Sequence, residues 1–156
     1  MPIEIERKFL LASDAWRAEV ASYSDIRQAY LAVTDTNTVR VRVTGAGAIL
    51  TIKSAGPAIR RAEFEYSVSL GDAEALLTLR TGRLIEKRRH IVPNGALRWE
   101  IDVFSGDLAG LVIAEIELPS EDTTFARPAW LGEEVTGDRR YANASLATHG
   151  LPSHQQ

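Results

Sequence analysis

Same-sign charges spaced two residues apart recur along this chain, segment after segment. Glu4 and Glu6 are followed by Lys8, and then come Arg40 with Arg42, Glu63 with Glu65, Lys87 with Arg89, Glu100 with Asp102, and Glu115 with Glu117. The residues between and beside them are apolar, as in Ile3, Ile5 and Phe9, Val39, Val41 and Val43, Trp99, Ile101 and Val103, and Ala114, Ile116 and Leu118. In a β-strand that spacing places the charges on one face and the apolar residues on the other. Solvated outer sheet faces also alternate, but they mix signs and use Thr and Ser, because like charges side by side repel. Repeated like-charge pairs therefore predict that these faces line a curved or closed interior, with the apolar faces outside and covered.

The alternation predicts strands over Ile3–Leu11, Asp25–Ala32, Thr38–Val43, Ala48–Lys53, Ala62–Leu70, Leu84–Val92, Ala96–Phe104 and Val112–Leu118. Turn residues separate them at Thr44-Gly45-Ala46-Gly47, Ser54-Ala55-Gly56-Pro57 and Pro93-Asn94-Gly95, the last a hairpin signal. Helical patterns follow Ser13-Asp14 as far as Val20, run from Ala73 to Leu79 behind Gly71-Asp72, and run from Asp138 to Thr148 ahead of Gly150. The expected fold is α+β, an eight-stranded antiparallel barrel or tunnel with helices packed on its outside, formed by residues 1–156 as a single domain. Trp16, Trp99 and Trp130 are expected as core anchors, and His90, on the face opposite Arg89, as a structural residue.

Composition narrows the chemistry. A formal net charge of −3 argues against nucleic-acid binding driven by bulk charge. With no cysteine and three scattered histidines, neither thiolate nor imidazole metal sites can be built, so a metal must be held by oxygen, which points to Mg²⁺, Mn²⁺ or Ca²⁺. The longest apolar run, near Ala109 to Ala114, is far short of the ~20 residues needed to span a bilayer. A cytoplasmic protein with no membrane partner is the expectation.

A barrel of about eight strands encloses room for its own side chains or one small ligand. Filling it with Lys8, Arg40, Arg42, Lys53, Lys87 and Arg89 is costly unless an anion and water share the space. The carboxylates on the remaining strands then hold the cations that a polyphosphate carries. A tunnel for a metal-complexed polyphosphate satisfies both sets.

The ordered set of motifs closely resembles the CYTH family, the triphosphate tunnel metalloenzymes, along almost the full length. It comprises Glu4-Ile5-Glu6-Arg7-Lys8, Gln28-Ala29-Tyr30-Leu31, Arg40-x-Arg42, Thr51-x-Lys53, Glu63-x-Glu65, Lys87-x-Arg89, Trp99-Glu100-x-Asp102-x-Phe104, Ala114-Glu115-Ile116-Glu117, Trp130–Thr136 and Arg140-Tyr141-x-Asn143. The resemblance implies metal-dependent hydrolysis of inorganic triphosphate to pyrophosphate and phosphate. Lys8, Arg40, Arg42, Lys53, Lys87 and Arg89 would clamp phosphoryl oxygens; Glu4, Glu6, Asp102, Glu115 and Glu117 would hold two Mg²⁺ or Mn²⁺ ions; and Glu115, Glu117 and Lys87 would form the catalytic group. Glu63, Glu65 and Glu100 would support the clamp or the second metal, and Arg140 and Tyr141 would belong to a segment plugging one tunnel end. Family members also include thiamine triphosphatases and class IV adenylate cyclases, so both activities stand as alternatives, and a non-catalytic triphosphate-binding module is a third. Members are often homodimers, although nothing in the apolar pattern here demonstrates one.

Overall fold

Strict alternation carries directly into structure. The computed structural model describes residues 2–55 and 59–152. The strands are β1 (Ile3–Leu11), β2 (Ser22–Val33), β3 (Asn37–Thr44), β4 (Gly47–Ser54), β5 (Arg60–Val68), β6 (Thr81–Asn94), β7 (Leu97–Phe104), β8 (Val112–Glu117) and β9 (Leu131–Glu134). Two helices, α1 (Leu70–Thr78) and α2 (Asn143–His149), accompany them, with short 3-10 turns at Ala15–Glu19, Gly106–Leu108 and Arg139–Tyr141.

Every pairing is antiparallel, in the order β5-β4-β3-β2-β6-β7-β8-β1. β1 then returns to β5 through Ile3↔Ala62, Glu4↔Arg61 and Ile5↔Arg60, which closes an eight-stranded barrel. The ninth strand, β9, adds to the far end of β1. It was not anticipated, being four residues long with Gly132 at its second position. That glycine is needed because a Cβ there would sit 2.9 Å from the Leu10 carbonyl oxygen. The turn expected at Ser54–Pro57 falls partly outside the described residues. The hairpin joining β6 and β7 turns at Gly95-Ala96, one residue later than Asn94-Gly95, with Gly95 at φ +60°.

Most of the apolar core lies outside the barrel wall, while a further cluster fills one end of the tunnel beneath α2. Ile5, Phe9, Trp99, Ile101, Ala114 and Ile116 project from β1, β7 and β8 and are sealed by Trp16 and Trp130. Phe9, Trp99, Phe125 and Trp130 meet edge to face, with centroids 5.6–6.2 Å apart. His90 belongs to this outer face, its ring 5.0 Å from that of Trp16. On the opposite wall α1 lays Ala73 and Leu77 over Ala29, Val41, Val43 and Ala48. Its N-cap is Ser69, whose hydroxyl accepts from the Asp72 amide, two residues before the expected Gly71-Asp72 start.

The expected helix over Asp138–Thr148 is broken. Ala142 is extended (ψ 137°), so a 3-10 turn ends at Tyr141 and α2 begins afresh. The break turns the Tyr141 carbonyl inward, where it accepts from Lys8 Nζ at 3.0 Å. α2 sits across one end of the barrel, packing Leu146 and Ala147 on Tyr30, Ile85, Phe104 and Ile113. It approaches so closely that a Cβ on Gly82 would lie 2.6 Å from the Ala147 carbonyl oxygen. The Ser13–Val20 pattern yields only a 3-10 turn, enough to bury Trp16.

Because the wall is held from outside, removing an outer anchor should loosen the barrel. Trp99→Ala is expected to cost ~3–5 kcal/mol in urea unfolding, the range for a buried Trp truncation. A loss under ~1 kcal/mol would contradict an externally supported wall.

Candidate active site

The pairing register decides which inward side chains face each other. Arg42 lies opposite Gln28, Arg40 opposite Thr51, Lys53 opposite Glu63, Arg89 opposite Asp102, Lys8 opposite Glu115, and Glu6 opposite Glu117. Walking around the barrel, the basic residues occupy β4, β3 and β6 (Lys53, Arg40, Arg42, Lys87, Arg89), with the neutral Gln28 of β2 between them. The acids occupy β7, β8, β1 and β5 (Glu100, Asp102, Glu115, Glu117, Glu4, Glu6, Glu63, Glu65). One half of the wall is basic and the other acidic, with Lys8, Arg61 and Arg98 as the exceptions on the acidic half. The cavity between the halves has a volume of ≈ 890 Å³. Twelve of the sixteen expected site residues line it: Glu4, Glu6, Lys8, Arg40, Arg42, Lys53, Glu63, Glu65, Arg89, Glu100, Glu115 and Glu117.

Lys87 and Asp102 are packed behind that lining, with side chains 0% and 2% exposed. Asp102 receives Lys87 Nζ at 2.8 Å and a bidentate fork from Arg89 Nε and Nη2 at 2.8 and 2.9 Å. Burial alone would raise the Asp102 carboxyl, but these two cations hold it far below its ordinary range. Both oxygens are thereby occupied by side chains. Burial pulls Lys87 down to about 7 against the opposing pull of Asp102.

On the basic half Arg40 donates to Thr51 Oγ1 at 3.2 Å, and its Nε is buried without a hydrogen-bond partner among the described residues. Arg42 Nε donates to Gln28 Oε1 at 2.8 Å. Burial first, then Arg40 and Arg89, pushes Arg42 down to about 9. An orphaned buried N–H beside crowded cations is the environment that an anion relieves.

On the acidic half Lys53 Nζ lies 2.8 Å from Glu4 and 3.6 Å from Glu63, and Arg61 donates to Glu6 at 3.2 Å. Burial, and then the Glu115 charge, raises Glu6 to about 7. Burial and Glu4 raise Glu63 to about 7, and burial with Glu4 and Glu100 raises Glu117. Glu115 goes the other way: burial would raise it, but Lys8 at 3.7 Å, then Arg89, hold it down. Glu6 opposite Glu117, and Glu100 opposite Glu115, are like-charge cross-strand pairs of the kind ordinary sheets avoid. Among the described residues no three carboxylates already converge as a closed metal cage. In donor type and uncancelled charge, however, the acidic half fits a hard divalent cation.

Tyr141 contributes its carbonyl to Lys8, while Arg140 lies on the surface beside Asp138 at 2.6 Å. Arg61, Gln28 and Asn143 were not singled out from sequence as site residues. Arg61 shares the parity of Glu63 and Glu65 and lies outside the expected strand because β5 begins at Arg60, two residues ahead of Ala62. Gln28 and Asn143 carry no charge, so charge alternation could not find them.

The raised carboxyls set a pH signature. Between the unfolded value of 4.5 and about 7 the folded chain holds protons on Glu6 and Glu63 that the unfolded chain releases. Stability of the metal-free protein should therefore fall as pH rises from about 5 to 7. The depressed Lys87 acts with the opposite sign, but only above its folded value of about 7. Thermal unfolding in EDTA should show Tm decreasing across pH 5 to 7; a rising Tm there would mean the acidic half is already neutralised by its own lysine and arginines.

Comparison with known proteins agrees with this geometry. An inorganic triphosphatase of Acetivibrio thermocellus is 42% identical over 144 residues, covering 92% of each chain. One from Nitrosomonas europaea is 41% identical over 149 residues, covering 92% of this chain and 96% of that one. The crystal structure of an inorganic triphosphatase superimposes with a TM-score of 0.68 at 38% identity, covering 96% of this chain and 100% of the other. Residues 2–150 match the CYTH domain, and with two such relatives along nearly its whole length the chain belongs to the CYTH family.

Proposed function

We propose that this protein is a metal-dependent inorganic triphosphatase that splits tripolyphosphate into pyrophosphate and phosphate. The observation that carries it is the division of the tunnel into a basic half and an acidic half. A linear polyphosphate places its oxygens on Arg40, Arg42, Lys53, Arg89 and Lys8, with the Arg40 Nε that lacks a partner as one donor. The names of the two relatives at 41–42% identity support the same substrate.

Glu4, Glu6, Glu115 and Glu117 would hold the divalent ions, Mg²⁺ or Mn²⁺ and two in number, with Glu63 and Glu65 beside them. Bound there, such an ion supplies charge neutralisation of the phosphoryl oxygens and lowers the pKa of an associated water. The chain's own residues supply the rest. Phosphoryl transfer needs positioning and stabilisation of charge spread over the transferring oxygens, and guanidinium forks aimed from β3 and β6 provide both. Lys8 is a cation set into the acidic half, held between Glu115 and the Tyr141 carbonyl of the end segment. Asp102 is assigned to aiming Lys87 and Arg89, since both of its oxygens are committed to them. Glu117, at the cavity lining with a raised carboxyl, is the side chain suited to take a proton from an attacking water.

Among the described residues the cavity lining carries no Trp or Phe and Tyr30 as its one Tyr, a poor platform for stacking a base or thiazolium ring, which favours an inorganic chain over ATP or thiamine triphosphate. The absence of cysteine is in keeping with a cytoplasmic setting. Phosphate release from tripolyphosphate with Mg²⁺ or Mn²⁺ should greatly exceed release from ATP. Arg40→Ala and Glu4→Ala should each lower kcat/KM by about 10²-fold or more. ATP turnover equal to that of tripolyphosphate, or cyclic AMP among the products, would sink the assignment.

A further inference from the structure

A chain of neutral amides runs behind the basic half. Gln28, fully buried on β2, accepts from Arg42 Nε through Oε1 at 2.8 Å and donates through Nε2 to Asn143 Oδ1 at 3.1 Å. Asn143, the first residue of α2, accepts on that same oxygen from Lys87 Nζ at 3.1 Å. The orientation of the amides follows from their neighbours. A guanidinium has only donors, so Gln28 must turn its oxygen to Arg42, and the Lys87 ammonium requires the oxygen of Asn143. A glutamate and an aspartate would fit these two places in shape, and would bind the cations more strongly.

Acids are plentiful elsewhere in the tunnel, where Lys53, Arg61, Lys87 and Arg89 all make ion pairs. Arg40 and Arg42 make none among the described residues and meet Thr51 and Gln28 instead. We propose that Gln28 and Asn143 are positioning residues that aim Arg42 and Lys87 with neutral acceptors, so that the basic half keeps its positive charge for the substrate's phosphoryl oxygens. Gln28 is packed behind the cavity lining and Asn143 stands at its edge. They act through the cations, and they tie the α2 end plug to the charge balance of the tunnel. This role rests on the triphosphate reading of the cavity.

The test compares wild type with Gln28→Glu, Gln28→Met and Asn143→Asp in Mg²⁺-dependent hydrolysis of tripolyphosphate, together with thermal unfolding. Gln28→Glu keeps the shape and the Arg42 contact but cancels the Arg42 charge and turns the donor to Asn143 Oδ1 into an acceptor. It should raise KM roughly tenfold or more, as expected for loss of one charge-assisted contact, with a smaller effect on kcat and a Tm no lower than that of Gln28→Met. Asn143→Asp should raise KM in the same direction. Gln28→Met removes the hydrogen bonds without adding charge, and should lower Tm while moving KM less than Gln28→Glu does. Calorimetric binding of tripolyphosphate to the metal-free proteins reads the anion alone and should weaken in the same order. If Gln28→Glu does not fold, Asn143→Asp decides by the same measures. Wild-type KM in both acidic variants, or equal KM changes in Gln28→Glu and Gln28→Met, overturns the proposal. A wild type that binds tripolyphosphate but does not hydrolyse it removes the enzymatic reading and leaves the binding comparison to decide; a wild type that does neither removes both.

Discussion

Buried charge is the constraint from which the rest of this structure follows. Lys87 and Asp102 lie almost wholly out of water in contact with each other, and Arg89 closes the cluster with a bidentate fork. Charges so placed cost several kcal/mol each unless their geometry is good and their remaining hydrogen bonds are filled. Here one carboxylate serves two cations, and Asn143 fills a further site on Lys87. The charged stretch of the interior cannot also be the main hydrophobic core. The apolar faces must therefore point outward and be covered, by the 119–131 segment and Trp16 on one side and by α1 on the other. The helices and loops support that wall, and inside it apolar burial is confined to one end, where Tyr30, Ile85, Phe104 and Ile113 meet Leu146 and Ala147 of α2.

Around the wall, strand order does what chain order conceals. Along the sequence the inward pairs run acid, base, base, acid, base, acid, acid, which suggests intermixed salt bridges. The order β5-β4-β3-β2-β6-β7-β8-β1 gathers them into one basic and one acidic arc. Each arc then carries like-charge neighbours, Glu6 against Glu117 across strands and Arg40 beside Arg42 along one strand. Burial first, and like-charge neighbours after it, raise Glu6 and Glu63 and depress Arg42. A protein selected only for stability would interleave the signs. A segregated tunnel is matched to a ligand that is itself an anion carrying cations.

Period two is legible in the sequence because seven of the eight barrel strands carry charges at inward positions, with β2 offering Gln28 and Tyr30 there, so the alternation reaches all eight barrel strands and matches β1 to the residue. Closure through Ile3–Ile5 and Arg60–Ala62 was legible only as a need, since a line of charges asks for enclosure without saying which strands meet. The strand β9 escaped because Leu131–Glu134 owes its conformation to β1, not to a pattern of its own. The expected continuous C-terminal helix failed at Ala142 for a tertiary reason: the Tyr141 carbonyl is worth more to Lys8 than to another helical turn. Asp102 read like any other inward acid, and only the register opposite Arg89, with Lys87 beside it, set it apart.

The glutamates at 4 and 6 and the lysine at 8, consecutive inward positions of one strand, summarise how location divides labour among similar side chains. Glu4 meets Lys53 across the closure with β5, Glu6 meets Arg61 there and Glu117 on β8, and Lys8 meets Glu115 and the end plug. Three residues of alternating register thus touch both neighbours of β1 and the segment that stops the tunnel. Strand β1 is the seam of the barrel, and a seam built of charged groups can close firmly only when its charges are balanced. Ions and substrate entering the cavity would supply that balance, so binding and barrel closure draw on the same electrostatic free energy.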